Sequence, residues 1–146
     1  MAPLNPGFTV EALKARLGEI GKTFPTDLGI EPLEFTDDAC RGRIVVDFRH
    51  LHPGKLVHGG VWVGLGDTVA AWQTFRQLPP GYDFTTIELK LNALAPAGQG
   101  DELLATARHL HAGRSTHVLA VDVERDDGRL AAHLIVTQFV IPPQSS

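Results

Sequence analysis

The chain predicts an α+β fold in which one long antiparallel sheet wraps around one helix, and three observations lead there. The stretch from Leu56 to Phe75 is apolar around most of its circumference, as a helix buried on nearly every side must be. Most of the chain beyond it alternates apolar and polar residues with a period of two, the pattern of strands covered on one face. Finally, 146 residues without an internal repeat or linker suit one domain large enough to bury a core without disulfides or metals.

Taken in order, TVEALKARLGEIGKTF sets Val10, Leu13, Leu17 and Ile20 at helical spacing behind Thr9 as N-cap. That predicts an amphipathic helix over about residues 9–20, lying outside the core. LGIEPLEF and CRGRIVVDFRH are rich in β-branched and aromatic residues and flank the turn-prone TDDA, so they predict a strand pair. His52-Pro53-Gly54 breaks the chain, and the central helix is expected over about residues 59–76, with Gly64 and Gly66 in its interior. TTIELKLNAL sets Thr86, Glu88, Lys90 and Asn92 against Ile87, Leu89 and Leu91, which is strand periodicity. PAGQGDE then turns the chain into three further strands, ELLATARHL, STHVLAVDVER and LAAHLIVTQFVI. Asp127-Gly128 joins the last two and favours the positive φ of a tight hairpin, while the tail PPQSS is expected to fray.

Composition narrows the function classes. With 43% hydrophobic residues, 21% charged residues and a net charge of −4, the chain is neither disordered nor basic enough to favour nucleic acid. The start of the chain lacks a basic segment followed by an apolar one, and His58, Asp67 and Gln73 interrupt the longest apolar run. No membrane span is expected, and the location is expected to be cytoplasmic. Cys40, the only cysteine, reads as a small buried hydrophobe rather than a nucleophile. Seven histidines invite a metal reading, with His50 and His52, or His109 and His111, on shared strand faces. No third ligand is spaced to close a site, so neither a metal nor another cofactor is expected.

One carboxylate stands out. Asp67 is the only formally charged residue between Lys55 and Arg76, and one turn away lie Val63, Gly64, Ala70 and Ala71. An acid in such surroundings loses solvation unless it is paired or faces a cleft, which points to function. Gly59 and Gly60 sit where the first helical turn leaves backbone N–H groups unpaired, so a carbonyl gaining negative charge could be held there. Asp67 lies eight residues beyond Gly59, about 12 Å along a helix axis and too far for both to act on one carbonyl. Two copies with antiparallel central helices could pair Gly59 of one with Asp67 of the other, so the chemistry calls for a homodimer.

HGGVWVGLGDTVAAW, with the strand, Pro-Ala-x-x-Gly turn and three strands from TTIELKLNAL to LAAHLIVTQF, resembles the hotdog-fold acyl-CoA thioesterases. Within them it is similar to the phenylacetate-pathway (PaaI-like) group, over roughly residues 28–140. The resemblance implies a homodimer, with a dimer of dimers expected, and an acyl-CoA substrate. It gives Gly59 the role of polarising the thioester carbonyl, and Asp67, across the interface, that of nucleophile or general base. His58 would orient the thioester or departing thiol, and Thr86, or its neighbour Thr85, would position water. Relatives carry Asn or Gln where this chain has His52, whose imidazole can donate the same hydrogen bond. Arg114 and Ser115, near the last two loops, are the candidates for CoA phosphate contacts. Beside Gly60, Trp62 is a candidate for the acyl pocket, as are Trp72 and Phe75, with core packing the alternative for all three aromatics. The acyl group is expected to be small and aromatic or of medium chain length. PGKLVHGG also faintly resembles acyl-carrier-protein dehydratases, so a hydratase or dehydratase is one alternative and a silent acyl-CoA binder another. The early helical positions Val63, Gly64 and Leu65 carry no acid, against the first, and the retained Asp67 speaks against the second.

Overall fold

The core is built where one long helix lies in the hollow of a curved sheet. In the computed structural model, which describes residues 1–145, helix α1 (Val10–Ile20) and the short α2 (Phe24–Asp27) precede strands β1 (Glu31–Phe35) and β2 (Cys40–Val45). A 3-10 turn (Phe48–His50) leads to the central helix α3 (Gly59–Gln77). Strands β3 (Asp83–Ala93), β4 (Glu102–Ala112), β5 (Thr116–Arg125) and β6 (Leu130–Ile141) complete the chain. All pairings are antiparallel, in the spatial order β1-β2-β4-β5-β6-β3, and α3 packs across the concave face. This is the hotdog arrangement that the sequence predicts.

Helix α3 forms because nothing in its sequence breaks it and the sheet buries most of its surface. Leu65, Val69 and Ala70 are fully buried against Leu103, Leu119, Val121 and Leu134 from the strands. Two glycines let helix and sheet come this close. A Cβ at Gly66 would fall 2.6 Å from Leu134, and one at Gly42 on β2 would fall 2.6 Å from Trp72 and 2.9 Å from Val69. α1 starts as the sequence suggests, with the Thr9 side chain accepting from the Ala12 amide, and it buries only Leu13.

Three local features differ from the sequence expectation. α2 was not foreseen, since it is four residues held by the Thr23 capping box with Pro25 in its first turn, too short for a periodic signal. The second predicted strand ends at Val45, because the Asp47 side chain accepts from the Arg49 amide and turns the chain. The first is likewise shorter, starting at Glu31. The last hairpin turns as Asp127-Gly128 suggests: Gly128 takes a positive φ, 80°, and its amide donates to the Arg125 carbonyl. The Asp127 side chain closes the turn by accepting from the Arg129 amide. None of the helices among the described residues is long and apolar enough to cross a membrane.

The closeness of α3 to the sheet makes a stability prediction. Gly42→Ala adds one methyl to a filled space, and overpacking of this kind costs about 1–3 kcal/mol. Denaturant unfolding should show that loss with an unchanged slope; an unaltered midpoint would mean that Trp72 and Val69 can give way.

Candidate functional site

The central helix presents two faces, and Asp67 sits on the one turned from the sheet. Gly60, Val63, Gly64, Asp67, Thr68 and Ala71 recur at intervals of three and four residues and form the floor of a cavity of about 630 Å³. Its roof is α1. One end of that roof rests on Phe8, whose ring stacks on Phe35 at 5.7 Å and packs against Phe75 at 5.4 Å. The other rests on α2, where Phe24 and Leu28 press so closely on Gly64 that a Cβ there would come within 2.9 Å of both. Asp67 is the only carboxylate among the described residues that line this chamber.

A relay of hydrogen bonds holds the acid. The Thr86 hydroxyl on β3 donates to Asp67 Oδ1 at 2.8 Å, so Thr86 rather than Thr85 faces the helix. With its one proton committed, Thr86 accepts from Gln138 Nε2 at 3.5 Å, and Gln138 Oε1 in turn accepts from the Thr74 hydroxyl. Gln138 and Thr74 are fully buried. Sequence reasoning missed both, although Gln138 carried a signal: it takes the inward place after Leu134 and Val136, where alternation calls for an apolar residue. Next to Thr86 the β3–β6 register shifts, a bulge that re-aims side chains at the site.

The start of α3 is a second cluster. His58 is the N-cap, and its Nδ1 accepts from the Gly60 amide at 2.8 Å, leaving Nε2 as the outward nitrogen. The Gly59 amide has no acceptor among the described residues, and open space surrounds Gly59. Of the two glycines, Gly59 therefore offers the free donor. His50 anchors this loop, with Nδ1 accepting from the Asp47 amide at 2.9 Å and Nε2 donating to the Leu28 carbonyl at 2.7 Å, while the His50 carbonyl takes the His58 amide.

Other predicted residues lie apart from these two clusters. The His52 Nδ1 accepts from the Gly54 amide, and its ring lines a cleft of about 250 Å³ together with Trp62. Trp62 is 3% exposed and does not border the large chamber, whereas Trp72 and Phe75 do. Arg114 and Ser115 occupy the β4–β5 turn, where Arg114 shares a cavity of about 340 Å³ with Gln77. Since the 19 residues of α3 span about 28 Å, Arg114 and Gly59 lie at opposite ends of the helix.

Two of the remaining histidines hold one another, and His133 bonds Asp122 at 2.7 Å. Gln73 Nε2 donates to His109 Nδ1 at 3.4 Å, and His109 Nε2 donates to His117 Nδ1 at 2.9 Å. Burial, with the nearby His117 and His111 adding to it, pushes His109 down to about 4, and burial also lowers His117. The strand register shifts between His109 and His111. No cluster of three or more metal-ligating side chains occurs among the described residues. Burial pushes the Cys40 thiol up to about 12, which rules out a ready thiolate.

The thioesterase superfamily profile matches residues 54–132, a span that contains His58, Gly59, Asp67, Thr74 and Thr86 but neither His50 nor Gln138. A Haemophilus influenzae thioesterase structure superposes with a TM-score of 0.87 at 26% identity, over 94% of this chain and 93% of that one. The Escherichia coli PaaI protein of the phenylacetic acid degradation operon superposes at 0.80 over 92% and 95% of the two chains, and at 22% identity it shows the fold alone. A Streptococcus pneumoniae protein described as a hypothetical thioesterase, crystallised with coenzyme A, gives 0.72 at 25% identity over 80% and 88%.

The buried histidines make stability depend on pH. Between pH 6.5 and about 4 the unfolded chain binds a proton that folded His109 refuses, so its contribution is whole above 6.5 and is lost as pH falls toward 4. The thermal midpoint should drop across that window, and the drop should be smaller in His109→Gln. An equally steep profile in the variant would place the responsible proton elsewhere.

Proposed function

Because the chain belongs to the thioesterase superfamily, we propose that it hydrolyses an acyl-CoA thioester to the free acid and CoA. The observation that carries this reading is Asp67, the single carboxylate on the wall of an apolar chamber, oriented by Thr86. The coenzyme A held by the pneumococcal protein supports the choice of thioester.

The thioester oxygen is taken to lie against the Gly59 amide, which stabilises the negative charge it gains as the carbonyl carbon becomes tetrahedral. Asp67 acts in one of two ways. As general base it takes a proton from water while the hydroxide adds to the carbonyl carbon; as nucleophile its own oxygen adds, and water later cleaves the anhydride. In either course the C–S bond breaks and the departing CoA thiolate takes up a proton. Thr86 steadies the carboxylate and its water, and the outward Nε2 of His58 is placed to guide the thioester sulfur. Gly60 contributes its lack of a side chain at the mouth. We assign His52 to handling of the leaving thiol and Trp62 to the wall beside it.

Gly59 and Asp67 are about 12 Å apart along α3, so a complete site joins two copies with antiparallel helices. Such pairing places the two-fold axis opposite Val63. The C-terminal end of one α3 then lies beyond the Gly59 end of the other. Arg114 and Ser115, close to that C-terminal end, therefore serve CoA phosphates at the site to which their own protomer gives Asp67. A dimer of dimers is the proposed assembly, and the cytoplasm the proposed location.

Purified protein should release CoA from at least one acyl-CoA, measured with a thiol reagent and without added metal or nucleotide. Hydration of an enoyl thioester without thiol release would point to a hydratase, and binding without turnover to a silent acyl-CoA binder. Asp67→Asn preserves an acceptor for Thr86, so it should fold normally while kcat drops by about 10² to 10⁴. Near-normal turnover in that variant would make Asp67 structural.

The shared site is tested by subunit exchange. Gly59→Pro removes the free amide at a helix position where proline is tolerated. Refolding it together with Asp67→Asn should restore about a quarter of wild-type activity, because half the dimers are mixed and each holds one intact site. Mixed dimers confirmed by mass but inactive would show that amide and acid act within one chain.

A further inference from the structure

The roof of the chamber carries a charge that helix patterning does not explain. Leu13, Arg16, Leu17 and Ile20 follow one another at three, one and three residues, so all four share a single face of α1, and all four line the chamber. The other charged residues of α1, Glu11, Lys14 and Glu19, do not line it. Arg16 thus interrupts the inward apolar stripe of its helix as Asp67 does on α3. Arg16 is exposed, and no carboxylate lies within 4 Å of its guanidinium among the described residues. Asp67, the chamber's acid, is not paired with it.

The surroundings of Arg16 narrow what it could bind. Phe8, Phe24, Trp72 and Phe75 line the chamber with aromatic surface, Phe24 packing on Gly64, while Gly60 and Ala71 put little side chain on its floor. That combination suits a flat ring, which gains from aromatic contacts at its edges and needs width more than depth. An uncharged acyl group drawn under the roof would strip water from the guanidinium and offer nothing in exchange. A carboxylate would match its fork of donors with paired, charge-assisted bonds.

We infer that the acyl group bound here is an aromatic ring bearing a second, anionic substituent, and that Arg16 is the residue that selects it. The inference rests on the thioesterase reading and deepens it by naming the substrate class. The thioester end of the ring lies toward Asp67 and the start of α3, and the anionic end lies under Arg16.

The test compares 4-carboxybenzoyl-CoA with benzoyl-CoA, and both with glutaryl-CoA and octanoyl-CoA. Wild-type protein should favour 4-carboxybenzoyl-CoA over benzoyl-CoA by about tenfold or more in kcat/KM, the scale of one hydrogen bond to a charged group. Arg16→Gln should bring that ratio close to one, and Arg16→Lys should keep part of it. A wild-type ratio near one, or a ratio unmoved in Arg16→Gln, overturns the role of Arg16. Higher kcat/KM for glutaryl-CoA or octanoyl-CoA overturns the aromatic class. If none of the four thioesters releases CoA, the thioesterase reading fails by itself, and calorimetry still decides the inference. Terephthalate should then bind at least about tenfold more tightly than benzoate to wild type and lose that advantage in Arg16→Gln; equal binding of the two acids overturns it.

Discussion

The close contact between α3 and the concave face of the sheet is the constraint on which the rest of the molecule depends. Gly66 lies against Leu134 and Gly42 against Trp72, and a single added methyl at either would force the layers apart. With Gly66 pinned toward the sheet, the next residue must turn about 100° around the helix. Asp67 is therefore carried to the border between core and chamber, within reach of Thr86 on β3. The acid's position is a consequence of helix packing, and the relay through Gln138 and Thr74 keeps it in one orientation. A buried polar chain of this kind is stable only when every member is satisfied, and here the donors run in one direction toward the carboxylate.

The start of α3 shows how little chemistry is needed to make one free donor. A helix has unpaired amides in its first turn, and His58 consumes that of Gly60. The amide of Gly59 is left facing open space, without a side chain to obstruct approach. Because the loop before it is tied through His50 to both Asp47 and Leu28, the position of this donor is coupled to α2 and hence to the chamber's roof. Amide and roof would shift together if α2 moved.

The roof itself is lightly built. α1 buries only Leu13 and is held at its two ends by aromatic contacts, Phe8 on Phe35 and Phe75, and Phe24 on Gly64 by way of α2. Between those supports it stands away from α3, and this gap is the chamber. Side chains on the inner stripe of α1 thus meet the space where a ligand would lie, without having to pack against a neighbouring helix.

Much of this was legible in the sequence, because it depends on residues near one another in the chain. The span of α3, the N-cap at Thr9, the alternation from Glu88 to Asn92 and the isolation of Asp67 among apolar neighbours are all local patterns, whereas the bulge after Thr86 reverses the expected faces of Thr86 and Ile87. The distance between Gly59 and Asp67, on which the proposed two-copy site rests, also came from the sequence, since eight helical residues set it whatever surrounds them. Tertiary structure decided which groups meet across the chain. It chose Thr86 over Thr85, brought Gln138 and Thr74 behind it, and set His52 in a cleft with Trp62. It also made the inward stripe of α1 the roof of a cavity, with Arg16 in it. The relay joins residues 19, 52 and 64 positions apart, and what sets such contacts is the strand register and the distance at which two layers stop approaching, quantities that no local periodicity contains.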